Sequence, residues 1–205
     1  MKTIAIVSLV AIGLVVSSTP SFADNLRLGG EIGLGTASDN VDDGLALQGY
    51  LEYDLRQDFA LRGGVTYLAG DSKVEDVSGG ELTISGVEAA ALYKFRAEMV
   101  KLYIGAGIGY YMPEYEMKDS LELFLGTLAV RLEEDLDNDV GFFLMGGVSV
   151  PLSDTVSLVG SAKYIFLEVD DHATMTSLID LDSNTSTGKV DLNTLLLTAG
   201  LQIEF

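Results

Sequence analysis

Leu195-Leu196-Leu197-Thr198-Ala199-Gly200-Leu201-Gln202-Ile203-Glu204-Phe205 closes the chain. Leu195, Leu197, Ala199, Leu201, Ile203 and Phe205 fall on one face of an extended segment, and Leu196, Thr198, Gly200, Gln202 and Glu204 on the other. That period of two predicts a β-strand, because successive side chains of a strand point to opposite sides. A strand with one continuous apolar face needs an apolar environment along its whole length. The closing strand of an ordinary soluble sheet and a strand facing lipid both satisfy that requirement.

Working back from the C-terminus, seven more segments repeat the pattern, at 25–36, 44–55, 58–69, 82–95, 99–112, 138–150 and 154–168. In the first, Leu26, Leu28, Gly30, Ile32 and Leu34 oppose Arg27, Gly29, Glu31, Gly33 and Gly35. In the fifth, Leu102, Ile104, Ala106, Ile108 and Tyr110 oppose Lys101, Tyr103, Gly105, Gly107, Gly109 and Tyr111. Throughout, one face is apolar with Tyr or Phe near its ends, and the other carries glycine, hydroxyls and charges. The connectors alternate too. Those at Arg56-Gln57, Arg96-Ala97-Glu98 and Leu152-Ser153 are minimal, while 37–43, 70–81, 113–137 and 169–188 are longer and acidic. Eight amphipathic segments of about ten residues, with short turns on one side and long loops on the other, predict an all-β fold: an eight-stranded antiparallel up-and-down transmembrane β-barrel.

The first 23 residues read differently. Lys2 precedes an apolar run from Ile4 to Val16, and Ser21-Phe22-Ala23 offers a small-x-small cleavage site. These features predict a secretory signal peptide over 1–23 and a barrel domain over 24–205. The run is short of the ~20 residues that span a bilayer, and no later stretch has 18 uninterrupted apolar residues, so a helical membrane protein is excluded. The chain has 205 residues, 31 acidic and 12 basic, for a net charge of −19. Nucleic acid is therefore not an expected partner, since phosphate binding needs clustered Lys and Arg. A hydrophobic fraction of 48% excludes a disordered acidic chain. Cysteine is absent, so there is no disulfide, thiolate metal site or lipidated cysteine.

Periodicity alone does not say which face points inward. A secreted lipocalin-like carrier has an apolar interior and charges in water; a transmembrane barrel has the reverse. Composition favours the second arrangement. The polar face is rich in glycine, which suits a tight lumen, and holds Arg27, Glu31, Glu52, Arg62, Glu88, Lys94, Lys101 and Lys163. These eight are the expected lumen polar network, paired because an unpaired buried charge costs several kcal/mol. Eight strands leave room inside for side chains or one small ligand, so an open aqueous pore is not expected.

Tyr103-Ile104-Gly105-Ala106-Gly107-Ile108-Gly109-Tyr110, the stretch from Asp139 to Val148, and Pro151 to Leu158 followed by Lys163-Tyr164 resemble the small bacterial outer-membrane β-barrel family that includes OmpW-like and OmpA/OmpX-like proteins. The spacing of Thr198, Gly200, Ile203 and Phe205 resembles that family's C-terminal assembly signal, which implies the barrel-assembly machinery as a partner. The resemblance covers 24–205. It implies the cell outer membrane, with both termini and the short turns in the periplasm, and outer-membrane lipid and lipopolysaccharide as surroundings. Two activities follow as expectations. One is a non-enzymatic envelope-structural or surface-interaction role through the long acidic loops; the other is a narrow conduit for small, hydrophobic molecules.

No catalytic, cofactor or metal site is expected. The single histidine, His172, lies in Asp170-Asp171-His172-Ala173-Thr174, without the His-x-Ser pair of a lipid A deacylase. Asp135-x-Asp137-x-Asp139 and Asp180-x-Asp182-x-Asn184 resemble the start of a calcium loop but lack its glycine at the sixth place. Solvated acidic loops are the expected reading, with divalent-cation binding as the sharper alternative. Segments 37–43, 70–81, 113–139 and 170–188 carry −17 of the mature chain's −20. Between 113 and 137, Leu121, Phe124, Leu125, Leu128, Leu132 and Leu136 form a helical stripe, which predicts a short amphipathic helix. Strand parity running on from Leu128 to Val148 supports an extended hairpin instead.

Overall fold

The computed structural model describes residues 25–37, 43–74, 77–97, 100–117, 130–177 and 183–205. Eleven strands follow in chain order: β1 (Leu26–Ala37), β2 (Gly44–Arg56), β3 (Phe59–Val74), β4 (Val77–Ala97), β5 (Val100–Met117), β6 (Val130–Leu136), β7 (Asp139–Pro151), β8 (Val156–Phe166), β9 (Glu168–Ser177), β10 (Ser183–Asp191) and β11 (Thr194–Glu204). Eight of them close a barrel in the order β1-β11-β8-β7-β5-β4-β3-β2. All its pairings are antiparallel, and the seam between β1 and β11 runs from Arg27 opposite Glu204 to Ala37 opposite Thr194. The seam is pinned at its foot by Phe205 N–H, which donates to the Leu26 carbonyl at 3.1 Å.

The apolar face points outward. Ile32, Leu34, Val87, Ile104, Ile108, Phe142, Leu144 and Leu197 are all more than half exposed, whereas Arg27, Glu31, Glu52, Arg62 and Lys163 are buried. A lipocalin-like arrangement is thereby overturned, since its apolar side chains would line the interior. Near the short turns, Phe59, Tyr93 and Phe95 form a chain of edge-to-face rings at 5.0 and 4.7 Å. Near the other end, Phe142, Phe166 and Tyr164 are linked at 4.8 and 4.7 Å. Phe59 and Tyr67 lie on one strand about 20 Å apart along the barrel axis once tilt is allowed for, close to the apolar height of membrane barrels. Replacing Ile32, in the middle of this belt, by arginine is expected to cost about 2–4 kcal/mol in urea titrations from lipid vesicles, while Asp58→Arg at a turn stays near zero.

The strands run further than their amphipathic segments. β3 and β4 form one hairpin up to Val74 opposite Val77, and β5 continues to Met117 beside it. A second sheet, in the order β10-β9-β6, prolongs β11-β8-β7. Segments 70–81 and 169–188, expected as loops, are thus largely strand. The expected helix is likewise overturned over Val130–Leu136, which is β6 paired with β9; Leu121, Phe124, Leu125 and Leu128 lie outside the described residues. Beyond the bilayer both faces of a strand meet water, so the apolar-polar contrast that betrays a strand in sequence disappears. Among the described residues the wall is lowest at β1 and β2, which end at Ala37 and begin at Gly44 while their neighbours continue.

Candidate functional site: the barrel interior

Side chains alternate strictly, so each strand delivers every second residue to the lumen, and the interior has two zones. The zone nearest the short turns is ionic. Glu52 on β2 is its hub, at 2% exposure. Its Oε2 accepts from Arg62 Nε at 3.0 Å and Nη2 at 2.7 Å, and its Oε1 accepts from Arg27 Nη1 at 3.2 Å and Lys94 Nζ at 2.5 Å. Asp54 joins Arg27 at 2.6 Å and also pairs with Lys94. Glu204 accepts from Arg27 Nη2 at 3.1 Å and lies 3.8 Å from Lys101, the most exposed member of the group. Three cations from three strands therefore converge on one carboxylate, which ties β1, β2, β3 and β4 together across the lumen.

Higher up, Glu31 Oε2 accepts from the hydroxyls of Ser161 and Thr198 at 2.6 and 2.5 Å, and Gln48 donates to Thr198 at 3.0 Å. Lys163 spans from β8 to Thr66 at 3.0 Å and Glu88 at 2.6 Å, and Tyr111 donates to Glu88 at 3.0 Å. The Arg62 guanidinium lies over the rings of Tyr50 and Tyr103, 3.8 and 4.8 Å from their centroids. All eight charged residues read from the sequence thus point inward, but they form two groups. Asp54 and Glu204 were missed although they share the parity of Glu52 and Gln202. With them the interior holds Arg27, Arg62, Lys94, Lys101 and Lys163 against Glu31, Glu52, Asp54, Glu88 and Glu204.

Toward the loops the lumen turns apolar. Ala37, Ala46, Leu68, Leu82, Ile84, Ile165, Leu167, Val169, Leu192 and Leu196 form one buried cluster, with Val190 packed against it. Leu196 falls on the polar face with Thr198 in the sequence, but Leu68, Leu82 and Ile84 are not legible as lumen residues, because the contrast between a charged and an apolar face is lost there. A void in the midsection, lined by Gln48, Tyr50, Arg62, Glu88, Phe143 and Lys163, measures about 10 Å³, the space of one water.

The remaining sequence-derived positions fall as follows. Thr198 is buried and Ile203 exposed, Gly200 stands on the seam opposite Glu31, and Phe205 is exposed at the foot. His172 lies on β9 in register with Asp135 and Thr187. Asp135 lies in β6 and Asp139 opens β7; Asp180 and Asp182 lie outside the described residues, as do residues 1–23, where a signal peptide is expected. Among the described residues no group of three or more His, Cys, Asp or Glu could hold a metal ion.

An outward apolar belt around a charge-filled interior defines a small integral membrane barrel. The chain belongs to the family described as the outer membrane protein beta-barrel domain, whose model matches residues 8–203. In fold it is similar to the outer membrane protein OprG from Pseudomonas aeruginosa, with a TM-score of 0.68 at 13% identity over 90% of this chain and 97% of that one. It is also similar to the outer membrane protein AlkL, solved in DMPC lipid bilayers (TM-score 0.59, 12% identity, 92% and 93% covered), and to Neisserial surface protein A (0.57, 14%, 88% and 96%). No curated protein matches the chain.

Proposed function

We propose that this protein is a non-enzymatic outer-membrane barrel that serves the envelope through the parts standing outside the bilayer, its interior being a structural plug. The observation that carries the reading is the ionic zone around Glu52, where three cations from three strands meet one buried carboxylate and tie four strands together across the lumen. On this reading residues 1–23 direct export, the termini and short turns lie in the periplasm, and Thr198, Gly200, Ile203 and Phe205 present the terminal strand to the assembly machinery. The acidic loops face outward, where divalent cations bridge their carboxylates to anionic lipopolysaccharide. The purified barrel in planar bilayers is expected to stay at baseline conductance; steady single-channel currents would refute the plug. Deleting residues 118–129 is expected to leave the heat-modifiable folded band intact while lowering adhesion or detergent resistance of expressing cells.

A second reading rests on the apolar end of the lumen and the low wall at β1 and β2. Small hydrophobic molecules would enter that end and leave sideways into the membrane without crossing the ionic zone. Val190→Glu places a charge at the edge of the apolar cluster, and is expected to slow uptake of an apolar dye by proteoliposomes. Uptake equal to that of the parent barrel would discard the conduit.

A further inference from the structure

Three side-chain oxygens in the midsection make no hydrogen bond of ordinary geometry among the described residues: Glu31 Oε1, Tyr50 Oη and Tyr103 Oη, the last having only the Arg62 guanidinium nearby. Each belongs to a residue only 5% exposed. A buried oxygen left without a partner lowers the folding equilibrium roughly fivefold to a hundredfold, so three together require an explanation.

Arg62, which lies over both rings, and the β1 backbone, where Gly29 under Tyr50 is two residues from Glu31, bring the three into one neighbourhood. Tyr50 opposes Gly29 on β1, and its hydroxyl lies 2.5 Å from where a Cβ on Gly29 would stand. Tyr103 opposes Gly147 on β7 and fills the corresponding space, with its hydroxyl 2.4 Å from that Cβ position. Beyond Gly29 the next strand offers Gln202, and beyond Gly147 it offers Ser161. The two rings therefore lean over glycines from opposite sides toward the β8–β11 wall, where Ser161 and Thr198 hold the other oxygen of Glu31. Glu31 acts electrostatically on both tyrosines, and they on each other.

We propose that this convergence is a buried water site, in which ordered water donates to Glu31 Oε1 and bridges it to the hydroxyls of Tyr50 and Tyr103. Water suits the donor set because it can donate to a carboxylate while exchanging hydrogen bonds with two hydroxyls. A metal cation does not suit it. The interior already balances its named charges, and the Arg62 guanidinium stacked on both rings would repel a second cation at their tips. A void of about 10 Å³ lined by Tyr50 and Arg62 on the side of Glu88 and Lys163 shows that the midsection has room for one water next to these two residues. The site joins the ionic zone, through Arg62 and the rings stacked on it, to the Glu31-Ser161-Thr198-Gln48 chain above.

Urea unfolding from lipid vesicles of Tyr50→Phe, Tyr103→Phe and the double variant tests this. Each single change is expected to lower the folded-to-unfolded ratio about fivefold, and the double change by less than the product, because one site is lost only once. In NMR spectra, long-lived water cross-peaks to both tyrosines are expected in the parent and absent in the double variant. Phe variants as stable as the parent or more so would mean a dry site, and losses that multiply would mean separate partners. Stabilisation of the parent by sodium or potassium over choline, absent in the double variant, would make the occupant a cation. Any of these three results overturns the proposal.

Discussion

Glu52→Gln is expected to lower the stability of the folded barrel by about 3–5 kcal/mol, the range for removing one partner from a buried ionic cluster. Glutamine keeps the shape of the side chain, so packing is preserved while Arg27, Arg62 and Lys94 lose their common counter-charge. Asp54 still pairs with Arg27 and Lys94. Arg62, at 8% exposure, is the cation left stranded. Adding Arg62→Gln to Glu52→Gln should therefore recover part of the loss, as expected for coupled neighbours. The chain has no tryptophan, so the folded fraction in urea is best followed by gel mobility of unboiled samples. A change below about 0.5 kcal/mol in the single variant, the range of an ordinary surface substitution, would show that Glu52 is not the hub.

Gly200→Ala is expected to be the more damaging change, costing about 3 kcal/mol or more and leaving little heat-modifiable barrel. A Cβ at this position would stand 1.9 Å from the Gly30 carbonyl oxygen and 2.6 Å from the Glu31 Cα. Both are backbone atoms of β1, so relief requires parting the strands at the seam that closes the cylinder; overpacking against movable side chains costs typically 1–3 kcal/mol. Gly33 meets the same obstacle from the other strand, 2.0 Å from the Leu197 carbonyl oxygen. Gly160→Ala is the control, because its Cβ would face outward with nearest atoms at 3.8 and 3.9 Å. A Gly200→Ala barrel that folds in the same yield as Gly160→Ala would dismiss the steric account. If Gly200→Ala fails to fold in vesicles without any assembly machinery, the glycine is needed by the closed seam itself.

The cylinder was legible in the sequence because lipid imposes a strong contrast. Leu26, Leu28, Ile32 and Leu34 had to share a face, and once Arg27 and Glu31 were placed opposite them the parity of β1 was fixed. What the contrast does not mark could not be read. β9 and β10 carry few apolar residues beyond Val169 and Val190, so Glu168–Ser177 shows no alternating apolar face to find. Inside the loop-side end, Leu68, Leu82 and Ile84 are buried among apolar neighbours and look like membrane-facing residues one position out of step. The charged lumen positions could be assigned to a face by counting, but their partners depend on stagger between strands. Lys163 reaches Glu88 from three strands away around the barrel, through β7 and β5 to β4, a distance in sequence that no local pattern records.

The equality of cations and anions inside the cylinder has an electrical consequence. A membrane potential does work of about 2.3 kcal/mol per elementary charge per 100 mV on charge that crosses it. The described interior charges sum to zero and offer the field no net charge to move, only a dipole to tilt. Voltage therefore has little grip on the barrel wall or its contents, and whatever electrical sensitivity the molecule possesses resides in the acidic segments beyond the bilayer, where salt screens it within about 10 Å at 0.1 M.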